Sequence, residues 1–248
     1  MPKKMKRFDR KTHWENIYQT KALKDASLFE PTPDTSLSFF DEYKVPLDAK
    51  IVDVGGGDSY LVDFLLVKGY QDVTVVDISE IALERAKHRL GVLSRKAKWV
   101  VDDLATFRPP EKYDVWHDRA AFHFLTDEKE ITNYVHTANQ HVNPNGILVI
   151  GTFSEKGPQN CSGLPVQQYS ETAMNQRFGE FFEKRTCLAM DHITPSDTRQ
   201  NFVFCSFRKR EEHVGVQDGI HEVTHDGIHL PLTQSGTFLR SMGQMAMR

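Results

Sequence analysis

The sequence predicts an α/β protein built on a doubly wound, mostly parallel sheet closed by an antiparallel edge, and three observations carry that prediction. From Lys50 onward, short β-branched runs alternate with helical stretches, the rhythm of strand, crossover helix and parallel strand. The first run, Ile51 to Val54, breaks directly into Gly55, Gly56 and Gly57 and then a helix. The last two runs, Phe181 to Met190 and Asn201 to Phe207, lie close enough to pair like a hairpin, a mixture that doubly wound folds tolerate.

Each element has its own signal. After the first strand, Leu61, Phe64, Leu65 and Val67 give a helix within Ser59 to Val67 one apolar face, and Gly69 stops it. Val73 to Val76 is a second strand. Ser79 caps a helix carrying Ala82, Leu83, Ala86 and Leu90, which Gly91 closes. Trp99 to Val101 is a third strand, and Tyr113 to Trp116, beyond Pro109 and Pro110, a fourth. Asp127 to His141 reads as a helix broken at Pro144, Asn145 and Gly146; Ile147 to Thr152 is a fifth strand. A Gly/Pro/Ser loop from Gly157 to Pro165 precedes a helix at Glu171 to Phe178. The expected organisation is a basic flexible tail at 1–11, one domain at 12–210 and a loosely attached extension at 211–248, where the string Asp-Gly-Ile-His occurs at both Asp218 and Asp226.

Composition narrows the function classes. The 248 residues, 39% hydrophobic, suit one domain with a substantial core. Lys and Arg total 31 against 34 Asp and Glu, a net charge of -3, which disfavours a partner recognised by phosphate neutralisation, so no nucleic acid is expected. No apolar run approaches the ~20 residues of a membrane span, and the basic N-terminus lacks the apolar segment of a secretory signal. Cys161, Cys187 and Cys205 are odd in number and widely spaced, which suggests free thiols in a reducing, cytoplasmic setting.

The chemistry concentrates where the predicted strands end. Glycines at the junction after Val54 remove every Cβ from the turn, so a ligand can lie against backbone N–H and C=O groups. A dinucleotide fingerprint needs a further glycine where Tyr60 stands, which weakens an NAD reading. Asp77 ends the second strand 22 residues beyond Gly55, where a carboxylate can accept from both hydroxyls of a ribose. Asp102 and Asp103 end the third strand on the same rim, within reach of an adenine amino group. Three consecutive strands thus deliver acids to one edge, which describes a nucleoside site without a phosphate cradle.

On these motifs the sequence resembles the class I S-adenosylmethionine-dependent methyltransferases over roughly Thr12 to Arg208. The resemblance implies a Rossmann-like seven-stranded sheet with an antiparallel final strand, and S-adenosyl-L-methionine as cofactor. It implies that Asp53, Gly55 and Gly57 contact the methionyl part, that Asp77 binds ribose and Asp103 adenine, and that Ile78 and Leu104 flank the purine. The string Tyr113 to Thr126 ends the fourth strand where family members face the sulfonium and the acceptor. It has no Asn/Asp-Pro-Pro-aromatic motif. Its Trp-x-Asp-Arg resembles thiopurine-type S-methyltransferases and, as loosely, the Asp-Lys-Gly pattern of seven-strand protein lysine methyltransferases; His13 to Tyr18 resembles a lid helix.

Displacement from a sulfonium mainly demands alignment in a dry site. His117 and Asp118 are the candidates for base or orienter, Arg119 for holding an acidic acceptor, and Trp14 for a lid residue beside it; the loop Phe153 to Tyr169 is a candidate acceptor wall. The expected activity is methyl transfer to the S, O or N of a small molecule. The alternatives are a protein lysine methyltransferase, which makes a protein substrate the partner, and a non-catalytic nucleoside-binding module. The pattern His221-Glu222-Val223-Thr224-His225, with His229 nearby, fits a zincin only on a helix; two β-branched residues and flanking Asp-Gly pairs argue against one, so no metal is expected.

Overall fold

The computed structural model describes residues 8–211. Helix α1 (Arg10–Thr20) and a 3-10 turn at Leu23–Asp25 lead into α2 (Asp34–Glu42). The alternating body follows: β1 (Lys50–Val54), α3 (Leu61–Lys68), β2 (Asp72–Asp77), α4 (Glu80–Leu90), β3 (Ala97–Val101), β4 (Tyr113–Arg119), α5 (Glu128–His141) and β5 (Val142–Phe153). A small hairpin, β6 (Asn160–Cys161) with β7 (Leu164–Pro165), precedes α6 (Glu171–Phe178), β8 (Phe182–Ile193) and β9 (Arg199–Lys209).

The helix starts are set by local chemistry. Ser79, Asp127 and Ser170 sit before α4, α5 and α6, and each side chain accepts from backbone N–H groups that the helix cannot satisfy itself. Gly69 ends α3 at φ 97°, a conformation costly for any side chain. Two residues assigned to the basic tail at 1–11 belong instead to α1. Asp9 caps α1 through the Thr12 N–H, so Arg10 and Lys11 are already helical.

The main sheet has seven strands in the order β3-β2-β1-β4-β5-β9-β8. β1 to β5 run parallel, and β9 pairs antiparallel with both β5 and β8. The reversed strand is therefore inserted beside the sheet's edge rather than forming it. The strand order reverses between β1 and β4, the switch point at which open α/β sheets leave a crevice.

Side chains alternate across the sheet with period two. Val52, Val54, Trp116 and Leu148 pack with Tyr134 of α5 and Phe178 of α6 on one face. Ile51, Val73 and Val115 pack with Leu37 and Phe40 of α2 and Leu65 of α3 on the other. A third cluster, Phe39, Val149, Phe202 and Phe204, extends that second face over the inserted strand.

One expectation from the cysteines fails. Cys187 and Cys205 are exact register partners across β8 and β9 and form a disulfide, leaving Cys161 as the free thiol among the described residues. Wide separation in sequence hid a cross-strand neighbour, so cysteine usage lends no support to a reducing compartment. No helix among the described residues is long and apolar enough to cross a membrane. The segments 1–7 and 212–248, including His221 to His229 and nearly all of the predicted extension, lie outside the described residues.

Candidate functional site

The crevice at the switch point is a cavity under α1 and the 23–33 segment. Asp53, Gly55, Asp77, Ile78, Asp103, Leu104, His117, Arg119 and Trp14 all line it. Gly57 and Asp118 do not.

The glycine loop works through close approach. Gly55 adopts φ 68°, and a Cβ there would collide with the Cβ of Ala121; one on Gly56 would sit 2.5 Å from Asp53 Oδ2. Gly57, at φ 52°, lies under the Tyr18 hydroxyl and beside the Asp77 carboxylate. Its place is behind the cavity wall, where it lets Asp77 approach the loop.

Asp77 is 7% exposed, and its Oδ1 accepts from Ser79 N–H at 2.8 Å. Burial, with the nearby Asp58 and Asp53 charges adding to it, pushes its carboxyl up to about 7 against the pull of backbone hydrogen bonds. Asp58 is likewise raised by burial, although Arg85 Nε stands 3.2 Å from its Oδ2. Asp103 is less enclosed: its Oδ1 accepts from Ala105 N–H at 2.9 Å, and Arg10 approaches its Oδ2 at 3.6 Å while also pairing with Glu130.

At the switch point Asp53 and His117 are register partners on β1 and β4. Asp53 Oδ1 lies 2.7 Å from His117 Nδ1, and His117 Nε2 lies 2.9 Å from Ser36 Oγ on α2. Asp53 Oδ2 is buried with no hydrogen-bond partner among the described residues. Asp118, one residue on, faces the opposite side of the sheet. Its Oδ1 accepts from the backbone N–H of Ala121 and Phe122, each at 3.0 Å, and its Oδ2 from the Tyr134 hydroxyl at 2.7 Å. Tyr134 in turn accepts from Trp116 Nε1 at 2.9 Å. These bonds hold the turn after β4 against α5, so the expectation that Asp118 is a base gives way to a structural role. Period-two alternation along β4 does not let neighbours share the cavity.

The other end of the cavity is mixed. Arg119 Nη1 donates to Leu28 O at 3.0 Å and Nη2 stands 3.2 Å from Glu30 Oε1, while its Nε and Nη2 lack a well-directed hydrogen bond. Burial lowers the Arg119 pKa and Glu30 opposes the shift; Glu30 itself is held low, its burial outweighed by His192 and Arg119. Trp14 packs edge-on to Phe124 at 4.8 Å, and His13 Nε2 reaches Ser162 O at 3.0 Å, joining α1 to the β6–β7 hairpin. Cys161 beside it is buried and its thiol is pushed up, the wrong direction for a nucleophile. Glu15 locks α1 down from the other side: it accepts from the Ser79 hydroxyl and from the N–H groups of Glu80 and Ile81 at the start of α4.

Sequence reasoning missed Ser36, Tyr18, Glu30 and Glu15, which reach the site from segments before β1. Glu15 and Tyr18 stood within a noted motif, the string from His13 to Tyr18, whereas Ser36 and Glu30 had no local signal. Among the described residues no group of three or more His, Cys, Asp or Glu is placed to hold a metal ion.

Comparison with known proteins agrees with this geometry. Residues 52–148 match the model of a methyltransferase domain family. The mouse eEF1A lysine and N-terminal methyltransferase is 29% identical over 134 residues, 53% of this chain and 19% of that protein. A malonyl-[acyl-carrier protein] O-methyltransferase of Ilyobacter polytropus is 26% identical over 107 residues, 43% of this chain and 38% of that protein. The chain thus spans well under half the length of these relatives. The crystal structure of Burkholderia thailandensis 1,6-didemethyltoxoflavin-N1-methyltransferase, with 1,6-didemethyltoxoflavin and S-adenosylhomocysteine bound, shares the fold at a TM-score of 0.60 and 16% identity, covering 81% of this chain and 84% of that one.

Residues 52–148 are thus similar to a methyltransferase domain family, and the sheet has the fold of a solved methyltransferase that binds S-adenosylhomocysteine. The cavity suits that family's cofactor. Asp53 Oδ2 is an unpaired buried acceptor, Asp77 offers a buried carboxylate to a diol, and the glycine turn keeps its wall free of side chains.

Proposed function

We propose that this protein transfers the methyl group of S-adenosylmethionine to a nitrogen, oxygen or sulfur atom of a small molecule. The observation that carries the reading is one cavity with two unlike ends: buried carboxylates around a glycine turn at one, and Trp14, Phe124, Arg119 and Glu30 under a helical roof at the other. When bound, S-adenosylmethionine supplies an electrophilic methyl group on a sulfonium. The protein's part is to hold, align and dehydrate. Asp77 accepts from the ribose hydroxyls, Asp103 from the adenine amino group, and Ile78 and Leu104 wall the purine. Asp53 and the backbone of Gly55 receive the methionyl end, with Gly57 supporting the turn from behind. His117 faces the acceptor side. Arg119 orients an acceptor that carries a hydrogen-bond acceptor or negative charge, and Trp14 covers it.

A small acceptor follows from the roof: α1, clamped by Glu15 and His13, leaves the Trp14–Arg119 end covered. The match to the mouse lysine and N-terminal methyltransferase favours a second reading, in which an extended lysine or terminal amine enters beside Trp14. Incubating the full chain with methyl-labelled S-adenosylmethionine and a cell extract separates the two. Label in the low-mass fraction supports the small acceptor, label on a protein band supports the second reading, and label in neither, with cofactor bound, leaves a binding module.

A further inference from the structure

Ser36, His117 and Asp53 stand in a single hydrogen-bonded line, and all three border the cavity. The line joins three elements: Ser36 is in the first turn of α2, His117 is on β4 and Asp53 is on β1. Each residue is almost wholly buried, at 1%, 2% and 2% exposure. A purely structural histidine here would be unusual company for an adjacent carboxylate oxygen that has no partner among the described residues. The bond directions are informative. An ionised Asp53 only accepts, so the imidazole donates to it from Nδ1. In the neutral imidazole, Nε2 then carries the lone pair and the Ser36 hydroxyl donates to it, which leaves the lone pairs of Ser36 Oγ for a proton arriving from the cavity.

Resting on the methyl-transfer reading, we propose that this line is the proton acceptor of the reaction and that Ser36 is its outermost member. As the acceptor's X–H atom takes the methyl group, its proton passes to Ser36 Oγ while the Ser36 proton passes to His117 Nε2. The S–CH3 and X–H bonds break, the X–CH3 bond forms, and the imidazolium left behind is held against the Asp53 carboxylate. The arrangement selects an acceptor class: an alcohol, phenol, thiol or amine that carries a proton to lose, and not a thioether or tertiary amine. The charges around the imidazole are compatible with this task. Asp53 faces it from β1, Asp118 adjoins it on the far side of β4, and Arg119 lies two residues along on the cavity side, with the neutral Ser36 arriving from α2.

The test uses the full chain and its Ser36→Ala and Ser36→Thr variants. S-adenosylhomocysteine binding is measured by calorimetry, label transfer from methyl-labelled S-adenosylmethionine is measured in a metabolite extract, and the histidine ring is followed by 15N NMR. The expected result for Ser36→Ala is unchanged S-adenosylhomocysteine affinity, label transfer lower by about 100-fold, and a changed 15N signal of the His117 ring. Ser36→Thr, which keeps the hydroxyl, restores transfer. The NMR signature in the wild type is Nδ1–H with an unprotonated Nε2. A wild-type His117 protonated only at Nε2 overturns the proposal, as does a Ser36→Ala protein that transfers label at the wild-type rate. Loss of homocysteine-analogue binding and folding together in Ser36→Ala reduces Ser36 to a packing residue and also overturns it. A wild type that binds no S-adenosylhomocysteine fails the parent reading instead.

Discussion

His117 and Asp118 are consecutive on β4, and the sheet sends them to opposite faces. Toward the cavity, His117 joins a chain that ends in a carboxylate oxygen without a partner among the described residues. Toward α5, Asp118 is met by two backbone N–H groups and a tyrosine hydroxyl that is itself hydrogen-bonded to a buried tryptophan. Both are fully enclosed polar residues next to the same strand end, so neither burial nor proximity tells them apart. Satisfaction does. A buried polar group whose bonds are all made stabilises one conformation, whereas one left open at a cavity is available to a ligand.

That contrast breaks most visibly at Asp118. Asp118→Ala leaves three buried donors unpaired, and the expected loss is about 3 to 5 kcal/mol in urea unfolding. Wild-type stability with reduced turnover would place Asp118 in the chemistry after all. On the cavity side, Asp77→Asn keeps the shape and removes the charge. S-adenosylhomocysteine affinity is expected to fall about 10- to 100-fold, the worth of charge-assisted hydrogen bonds to a diol.

The pH dependence of Asp77 sharpens the same contrast. Its folded carboxyl lies near 7, above the ordinary ~3.9 of an unfolded chain. The neutral form therefore stabilises the fold fully below about pH 4, and that contribution is lost as pH rises through 7. Asp77→Asn should gain stability relative to the wild type between pH 5 and pH 8, read from paired urea curves. Ligand hydroxyls favour the ionised form, so wild-type affinity for S-adenosylhomocysteine should rise over the same interval and that of Asp77→Asn should stay flat. The smallest effect is at the clamp: Glu15→Ala removes the cap that α1 gives α4, worth about 1 kcal/mol, and should speed ligand dissociation by a few-fold in stopped-flow displacement.

The rim was legible in sequence because its signals are local. Asp53 with Gly55, and Asp77 and Asp103 at their strand ends, lie within a few residues of the patterns that reveal them. The mostly parallel sheet and its antiparallel final strand also follow from alternation and the family's topology, whereas the insertion of β9 between β5 and β8 does not. What was not legible arrives through tertiary approach. Ser36 reaches His117 across 81 positions of sequence, and Glu15 reaches Ser79 across 64, because apolar packing of α2 and the capping of α4 place them there. The cysteine pair was hidden for the same reason, since only strand register makes Cys187 and Cys205 neighbours. The Asp118 error was avoidable: once Tyr113 to Trp116 is read as a strand continuing to Arg119, residues 117 and 118 must point opposite ways.

The most direct test of the central claim is calorimetric titration of the full chain with S-adenosylhomocysteine and, separately, with NAD. The account predicts one saturable S-adenosylhomocysteine site per chain, weakened by Asp77→Asn and untouched by an excess of NAD. Absence of S-adenosylhomocysteine binding, or preference for NAD, would contradict it.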